Sequence, residues 1–537
     1  MAKIHGGRVV ARALKNEGVD TLFTLTGGHI LPIIDGCVQE GIRIVDFRHE
    51  QAAAHAAEAY ARLTGQIGVA AVTAGPGVTD AITAVANAHF AGTPMLLLGG
   101  RHLLRQELMG GLQEMNHPPM FSGITAWAGT AFAPDRLADH VATAVRHAHA
   151  GRGGPSFLDI PMDVQFDEVE EESVSWPADQ RPNRLPSIDD RQIAEIVAAI
   201  RASERIAIFA GRADASLTGL TDALQAPTYL NGRGRGALAF DHPLLGNHAR
   251  SAALGSCDLL LAFGVDWDFR TRYGAVVSPD ATVIQIDADP RKIGWNRTAH
   301  IGLVADPALV VAQLAEHSDS IKRDRSDWVE GILAQEAARQ AQLDAEAADD
   351  SIPVMPQRFA RDVAQFFGPG SIVAVDGGDI VSSTARWLQV STPGHVLDPG
   401  PFGTLGTGAP FAIAAKLAFP DHQVGIVYGD GAFGFNGFEY DTMVRHGLPI
   451  VGVMGNDGVW ANIKTLHKAF FPDRVAAADL GRRPYHDVVT ALGGHGEMVT
   501  HPADIRPALE RAVASGLPAL INVHLAETMR ASSNYAQ

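Results

Sequence analysis

The chain has 537 residues, 46% of them hydrophobic, and 43 Lys and Arg against 60 Asp and Glu leave a net charge of −17. Without a basic stripe, that balance argues against a nucleic-acid partner, and the absence of any apolar run of about 18 residues argues against a membrane span. Only two cysteines, Cys37 and Cys257, are present, which fits neither a disulfide framework nor a thiolate metal site, so a reducing cytoplasm is the expected compartment.

In chain order, residues 8–17 read as a helix and 19–28 as a strand closing on a glycine turn. A second strand, IRIVDFRHE, ends on charge at Glu50. An Ala-rich helix follows and stops at Gly65, a C′ glycine. IGVAAVTAGPG and PMLLLGG are two further buried strands. Such alternation predicts an α/β unit over 1–165, with a parallel sheet between helices. Residues 166–187 are acidic and proline-containing without a period and read as a linker. A second α/β unit spans 188–318, with strands RIAIFAG, DLLLAFG and TVIQIDAD. Residues 319–350 are charged, Ala-rich and helical in pattern. A third unit spans 355–528, with strands SIVAVDGG, VGIVYGD, IVGVMGN and ALINVHL. The fold class expected is therefore α/β, with three doubly wound parallel-sheet domains. Ligands in such sheets collect at the carboxyl ends of strands.

The sharpest local signal lies at 424–460: strand, GDG turn, helix, strand, then a second acidic turn. Gly429 and Gly431 let the backbone approach a bulky anion, and the following helix offers N–H groups to phosphate. Asn436 and Glu439 have the spacing of a capping box. Asp430 and Asp457, after neighbouring strands, are hard oxygen donors suited to Mg²⁺ beside a diphosphate.

Together these features resemble the thiamine-diphosphate enzymes of the acetolactate synthase group, which includes benzaldehyde lyase and the 2-hydroxyacyl-CoA and oxalyl-CoA lyases. The resemblance covers nearly the whole chain. It implies a pyrimidine-binding domain at 1–165, a central nucleotide-binding-like domain and a diphosphate-binding domain at 355–528. The family motif usually ends in Asn-Asn, whereas this chain has Asn456-Asp457. Alignment on Trp460 implies Asp430, Asp457 and the Val459 carbonyl as metal ligands; alignment on Asn-Asp-Gly implies Asn456 and Gly458 instead. The first is preferred. Gly429, Asp430, Gly431 and Ala432 would hold the diphosphate. Glu50 matches the glutamate that bonds the pyrimidine N1′ and activates the cofactor. Leu405, in GPFGTLGTGAP, matches the residue wedged between the cofactor rings, and the Gly403 carbonyl would accept from the 4′-amine.

LTGGHILPIIDG resembles the benzaldehyde lyase turn, which places His29 near the reacting carbon as a proton shuttle. Gln113 holds the position of that enzyme's cofactor-side glutamine. Thr73, Pro76 and Asn87 are expected to line the same mouth, with Trp460, Asn462 and Ile463 as its wall. In the central unit the resemblance implies Arg152, Gly211, Asp287 and Asp306 as contacts of a nucleotide, either FAD or the ADP portion of CoA, unless the domain is empty. The tail 529–537, with Arg530, Ser532, Ser533 and Tyr535, is expected to be a lid over the site or a frayed end.

The resemblance implies a lyase or carboligase acting on a small carbonyl compound, a 2-oxo acid or an acyl-CoA, with a homodimer as minimum unit and a homotetramer common in the group. The leading expectation is a 2-hydroxyacyl-CoA lyase. Its rivals are acetolactate synthesis, acyloin cleavage, a flavin-dependent 2-oxo acid oxidase and a non-catalytic paralogue. No G-x-G-x-x-G opens a convincing βαβ unit, which argues against plain NAD binding.

Overall fold

The computed structural model describes residues 3–177 and 186–528. Three six-stranded sheets, all parallel, form the three units. The first runs Arg43–Asp46, Thr21–Leu25, Gly68–Val72, Met95–Arg101, Pro155–Pro161, Trp127–Thr130 across the sheet. The third runs Val396–Leu397, Ile372–Asp376, Val424–Gly429, Val451–Asn456, Ala519–His524, His495–Val499. Numbered within its own unit, each of these two sheets has the order 2-1-3-4-6-5. The central sheet has the order 3-2-1-4-5-6, that of dinucleotide-binding folds. Its edge strands Leu245–Gly246 and Ile301–Val304 and the short Thr228–Leu230 escape the sequence pattern, as do Val396–Leu397 and His495–Val499 in the third unit.

The central strands are continuous buried runs; every residue of Gly68–Val72 and Met95–Arg101 is buried. Helices cover both faces, so these strands show no polar alternation. The 166–187 segment is more ordered than a linker. Glu168–Glu170 pairs antiparallel with Lys3–His5, Val174 is buried, and Trp176 lies under the Arg12 guanidinium. Residues 178–185 of that segment, and the tail 529–537 with its expected lid, lie outside the described residues. Among the described residues no helix is long and apolar enough to cross a membrane.

The first and third units share one core. Helix Glu50–Thr64 buries ten consecutive residues, Ala52 to Ala61, seven of them alanine, and faces helix Gly408–Ala418, itself buried along most of its length. Alanine on both faces allows close approach. On the sheet side there is no room for even a methyl at Gly68, whose Cβ would lie 1.8 Å from the Ala57 carbonyl oxygen. Gly65, at φ 73°, ends the helix as expected.

Candidate functional site

At the carboxyl end of the third sheet, Asp430 and Asp457 follow two neighbouring paired strands. Asp430 is buried; its carboxylate accepts from Gly431 N at 3.0 Å and from Gly458 N at 3.0 Å, which ties the two turns together. Burial raises Asp430 to about 6. Asp457 is raised to about 7, first by burial and then by the Asp430 charge. Two adjacent oxygen donors that repel each other form a donor set a hard divalent cation would stabilise. The Asn456 amide nitrogen donates to Arg483 O at 3.2 Å and to Asn522 Oδ1 at 3.1 Å, while its Oδ1 is buried with no hydrogen-bond partner among the described residues. The Gly458 carbonyl accepts from Leu480 N and Gly481 N, each at 2.8 Å. Of the two alternative ligands, the Gly458 carbonyl is thus engaged away from the turn and the Asn456 Oδ1 is not.

Gly431 lies under the Trp460 indole, where a Cβ would come within 2.4 Å of the ring. Ala432 is buried, and Gly429 caps the helix Asp430–Asn436. The Asn462 amide stands against Gly378, and Ile463 is exposed. The expected capping box is absent. Asn436 ends one helix and Glu439 begins the next, with a turn at Gly437 and Phe438 between them. Asn436 donates instead to Gly406 O at 2.7 Å, which brings the Gly403–Leu405 segment against the diphosphate turn. Gly403 is left-handed at φ 71°, and Leu405 is partly buried against the shared core.

A second cluster forms at the carboxyl end of the first sheet. His29 Nδ1 lies 3.1 Å from Thr73 Oγ1, and that hydroxyl donates to Gln113 Oε1 at 3.5 Å. Burial lowers the His29 pKa, against a Leu112 backbone hydrogen bond that raises it, and His102 and His117 lower it further. Pro76 opens the short helix after Gly75, and Gly75 stands against Gln113. A Cβ on Gly77 would lie 2.8 Å from Thr73 Cγ2 and 3.5 Å from Glu50 Oε1, which places Glu50 at the same turn. Glu50 opens helix Glu50–Thr64, and burial raises its pKa. Asn87 does not join this group. It is fully buried on helix Ile82–Ala91 and donates to Glu58 Oε2 at 2.8 Å, so it belongs to the interior between helices and not to the mouth.

In the central unit two of the four expected contacts, Arg152 and Asp287, engage each other. Arg152 pairs with Asp266 at 2.9 Å and with Asp287 at 2.9 Å. Asp306 caps helix Pro307–Ala315 through Ala308 N. Gly211 is required by close approach, since a Cβ there would lie 2.4 Å from the Gly264 carbonyl oxygen. The cleft beside it is electropositive through residues the sequence reading passed over. Arg212 donates to the backbone carbonyls of Ala91, Gly92 and Arg152. Burial pulls it well below its usual value, aided by Arg233 and Arg152. Arg233 is lowered to about 10 by burial and by the Arg62 charge. Their signal was an arginine following a glycine after a strand, in AGR and NGRGRG.

Two further groups were passed over. His117, fully buried, sits 2.9 Å from Asp159 and accepts from Gly75 N at 3.0 Å, so it braces the turn beside Gln113. Glu439 is buried and accepts from Arg48 N at 3.1 Å, two residues before Glu50.

Compared with known proteins, residues 4–120 match the thiamine pyrophosphate enzyme N-terminal TPP-binding domain, 193–314 its central domain and 376–523 its C-terminal TPP-binding domain. The chain is 39% identical over 526 residues to the acetolactate synthase large subunit IlvG of Mycobacterium tuberculosis, covering 97% of this chain and 95% of that protein. It is 33% identical over 583 residues to 2-hydroxyacyl-CoA lyase 2 of Caenorhabditis elegans, covering 98% and 90%. It is 32% identical to the human protein of that name, again over 98% and 90%.

Proposed function

Since the chain belongs to the thiamine pyrophosphate enzyme family and is a thiamine diphosphate-dependent carbon–carbon lyase or transferase, we propose that it makes and breaks the bond between an acyl carbon and a hydroxyl-bearing carbon, with a 2-hydroxyacyl-CoA as substrate. The observation that carries this reading is His29 beside Thr73 and Gln113, its pKa lowered by burial, a group suited to take a proton from a hydroxyl.

Asp430, Asp457 and the Val459 carbonyl would hold Mg²⁺. Gly429, Gly431 and Ala432 would admit the diphosphate, and Leu405 and Gly403 would meet the rings. Bound there, the cofactor supplies a nucleophilic carbon and an electron sink. Glu50, with its pKa raised by burial, would hold a proton at the pyrimidine N1′. In cleavage, His29 would take the substrate hydroxyl proton as the carbon–carbon bond breaks. The bond's electron pair stays with the acyl carbon, which later accepts a proton. One 2-hydroxyacyl-CoA then yields one aldehyde or ketone and one formyl-CoA. Gln113 would orient the hydroxyl oxygen. The arginine cleft of Arg212 and Arg233 is compatible with a nucleotide diphosphate, whether of CoA, ADP or FAD. A homodimer is the minimum unit proposed, and a homotetramer is compatible with it.

Acetolactate synthesis from 2-oxo acids is the second reading, supported by the 39% identity to a protein of that name. Parallel assays with thiamine diphosphate and Mg²⁺ separate the two. Aldehyde and formyl-CoA from a 2-hydroxyacyl-CoA support the first. Acetolactate and CO₂ from pyruvate, with no carbon–carbon cleavage of the 2-hydroxyacyl-CoA, overturn it in favour of the second.

A further inference from the structure

We propose that Asp376 and Asn436 are positioning residues that clamp the Gly406 backbone from both sides and so hold Leu405 at a fixed place beside the diphosphate turn. The inference rests on the reading of Leu405 as the residue that meets the cofactor rings.

Residues 403–407 belong to no helix or strand. Asp376, the last residue of strand Ile372–Asp376, is buried. Its Oδ1 accepts from Gly406 N at 3.2 Å and its Oδ2 from Gly408 N at 2.8 Å. From the other side Asn436 Nδ2 donates to Gly406 O at 2.7 Å. Asn436 is also buried and ends the helix that Asp430 opens. The strand therefore grips the amide and the diphosphate helix grips the carbonyl of the same residue, in the two peptide units that flank its Cα.

The grip leaves no slack. Gly406 has φ 88°, and a Cβ there would lie 2.6 Å from Phe435 Cβ and 2.9 Å from Asn436 Nδ2. Only glycine accepts both this backbone conformation and this proximity. Leu405 is the adjoining residue, and its side-chain position follows from the Gly406 peptide plane. Asp376 and Asn436 have no need to touch the cofactor, because they act through Leu405. Each bond in such a clamp is worth enough to change a site's occupancy about tenfold.

The test uses the full chain freed of cofactor and two probes in the presence of Mg²⁺: thiamine diphosphate and inorganic pyrophosphate. Calorimetry on Asn436→Ala should show about tenfold weaker binding of thiamine diphosphate and unchanged binding of pyrophosphate. Asp376→Asn, which retains one carbonyl acceptor and the same volume, should show the same split, with kcat lowered and substrate KM unchanged. Thermal melting of both variants checks that they fold. Unchanged thiamine diphosphate affinity in either folded variant overturns the clamp. Equal loss of both probes also overturns it, because the diphosphate turn itself would then have been damaged. Wild-type protein that binds pyrophosphate but not thiamine diphosphate would instead refute the reading of Leu405.

Discussion

A carboxyl group buried at the end of a strand lowers its cost in two ways: it accepts backbone N–H groups, or it keeps a proton. Asp376 ends a strand, Asp430 follows one and Glu439 opens a helix; each accepts backbone N–H groups, and burial raises their pKa values to about 6, 6 and 7, against hydrogen bonds that lower them. Glu439 carries a pH prediction. Its ordinary value near 4.5 is raised to about 7 in the fold, so the native state binds the proton more tightly than the unfolded chain. The stability this confers is present below pH 4.5 and is lost as pH rises through about 7, by roughly 3 kcal/mol at most. Glu439→Gln stays neutral throughout, so its melting temperature should fall less steeply between about pH 5 and pH 8. Parallel slopes for variant and wild type would remove the assignment. Glu50 carries a prediction about turnover. Glu50→Gln should lower it by roughly 10²-fold or more while melting stays unchanged, since proton transfer by a placed group is worth that much. A fully active variant would dismiss Glu50 as the activating acid.

Helix Glu50–Thr64 presents a functional carboxyl at its first turn and a core-filling alanine face along its length. Its partner Gly408–Ala418 begins immediately after the clamped Leu405 segment, so the packing of two helices also sets the approach of two site segments. Phe411 is the bulky residue in this interface. Its ring meets His55 edge-on at 5.9 Å and lies under the Arg62 guanidinium at 5.3 Å. Phe411→Ala should destabilise the protein by about 3–5 kcal/mol through an unfilled cavity, measured by denaturant unfolding. A loss below about 1 kcal/mol would mean that the interface collapses to fill the space.

The first and third sheets share a strand order and bury a common core, whereas the central sheet has a different order and its own cores. The loop around Gln113 carries Leu108, Met109 and Leu112 at 91%, 74% and 78% exposure, beside a functional cluster. Apolar residues so exposed at a site are costly unless covered. A second copy of the chain is the expected cover. Sedimentation should therefore give a dimer or a larger mass, and Leu112→Asp should shift it towards monomer with loss of turnover. A wild-type monomer that turns over substrate would exclude the proposed minimum unit.

Glycine turns after apolar runs made the α/β class, the GDG turn and the strand-end placement of Asp430 and Asp457 readable directly, because each is a local pattern of backbone need and burial. Glu50 and His29 became candidates through the family resemblance, since their local patterns alone also fit a helix-opening glutamate and a turn histidine. The roles of Asp376, Asn436 and Glu439 were not readable, since each bonds a backbone group far away in the chain. Local spacing even pointed wrongly to a capping box for the last two. Asn87 illustrates the same point, since its bond to Glu58 on a neighbouring helix is not announced by its place in the sequence. Long-range hydrogen bonds and helix facing depend on which elements meet, and that is a property of the folded chain, set by the burial of many side chains at once.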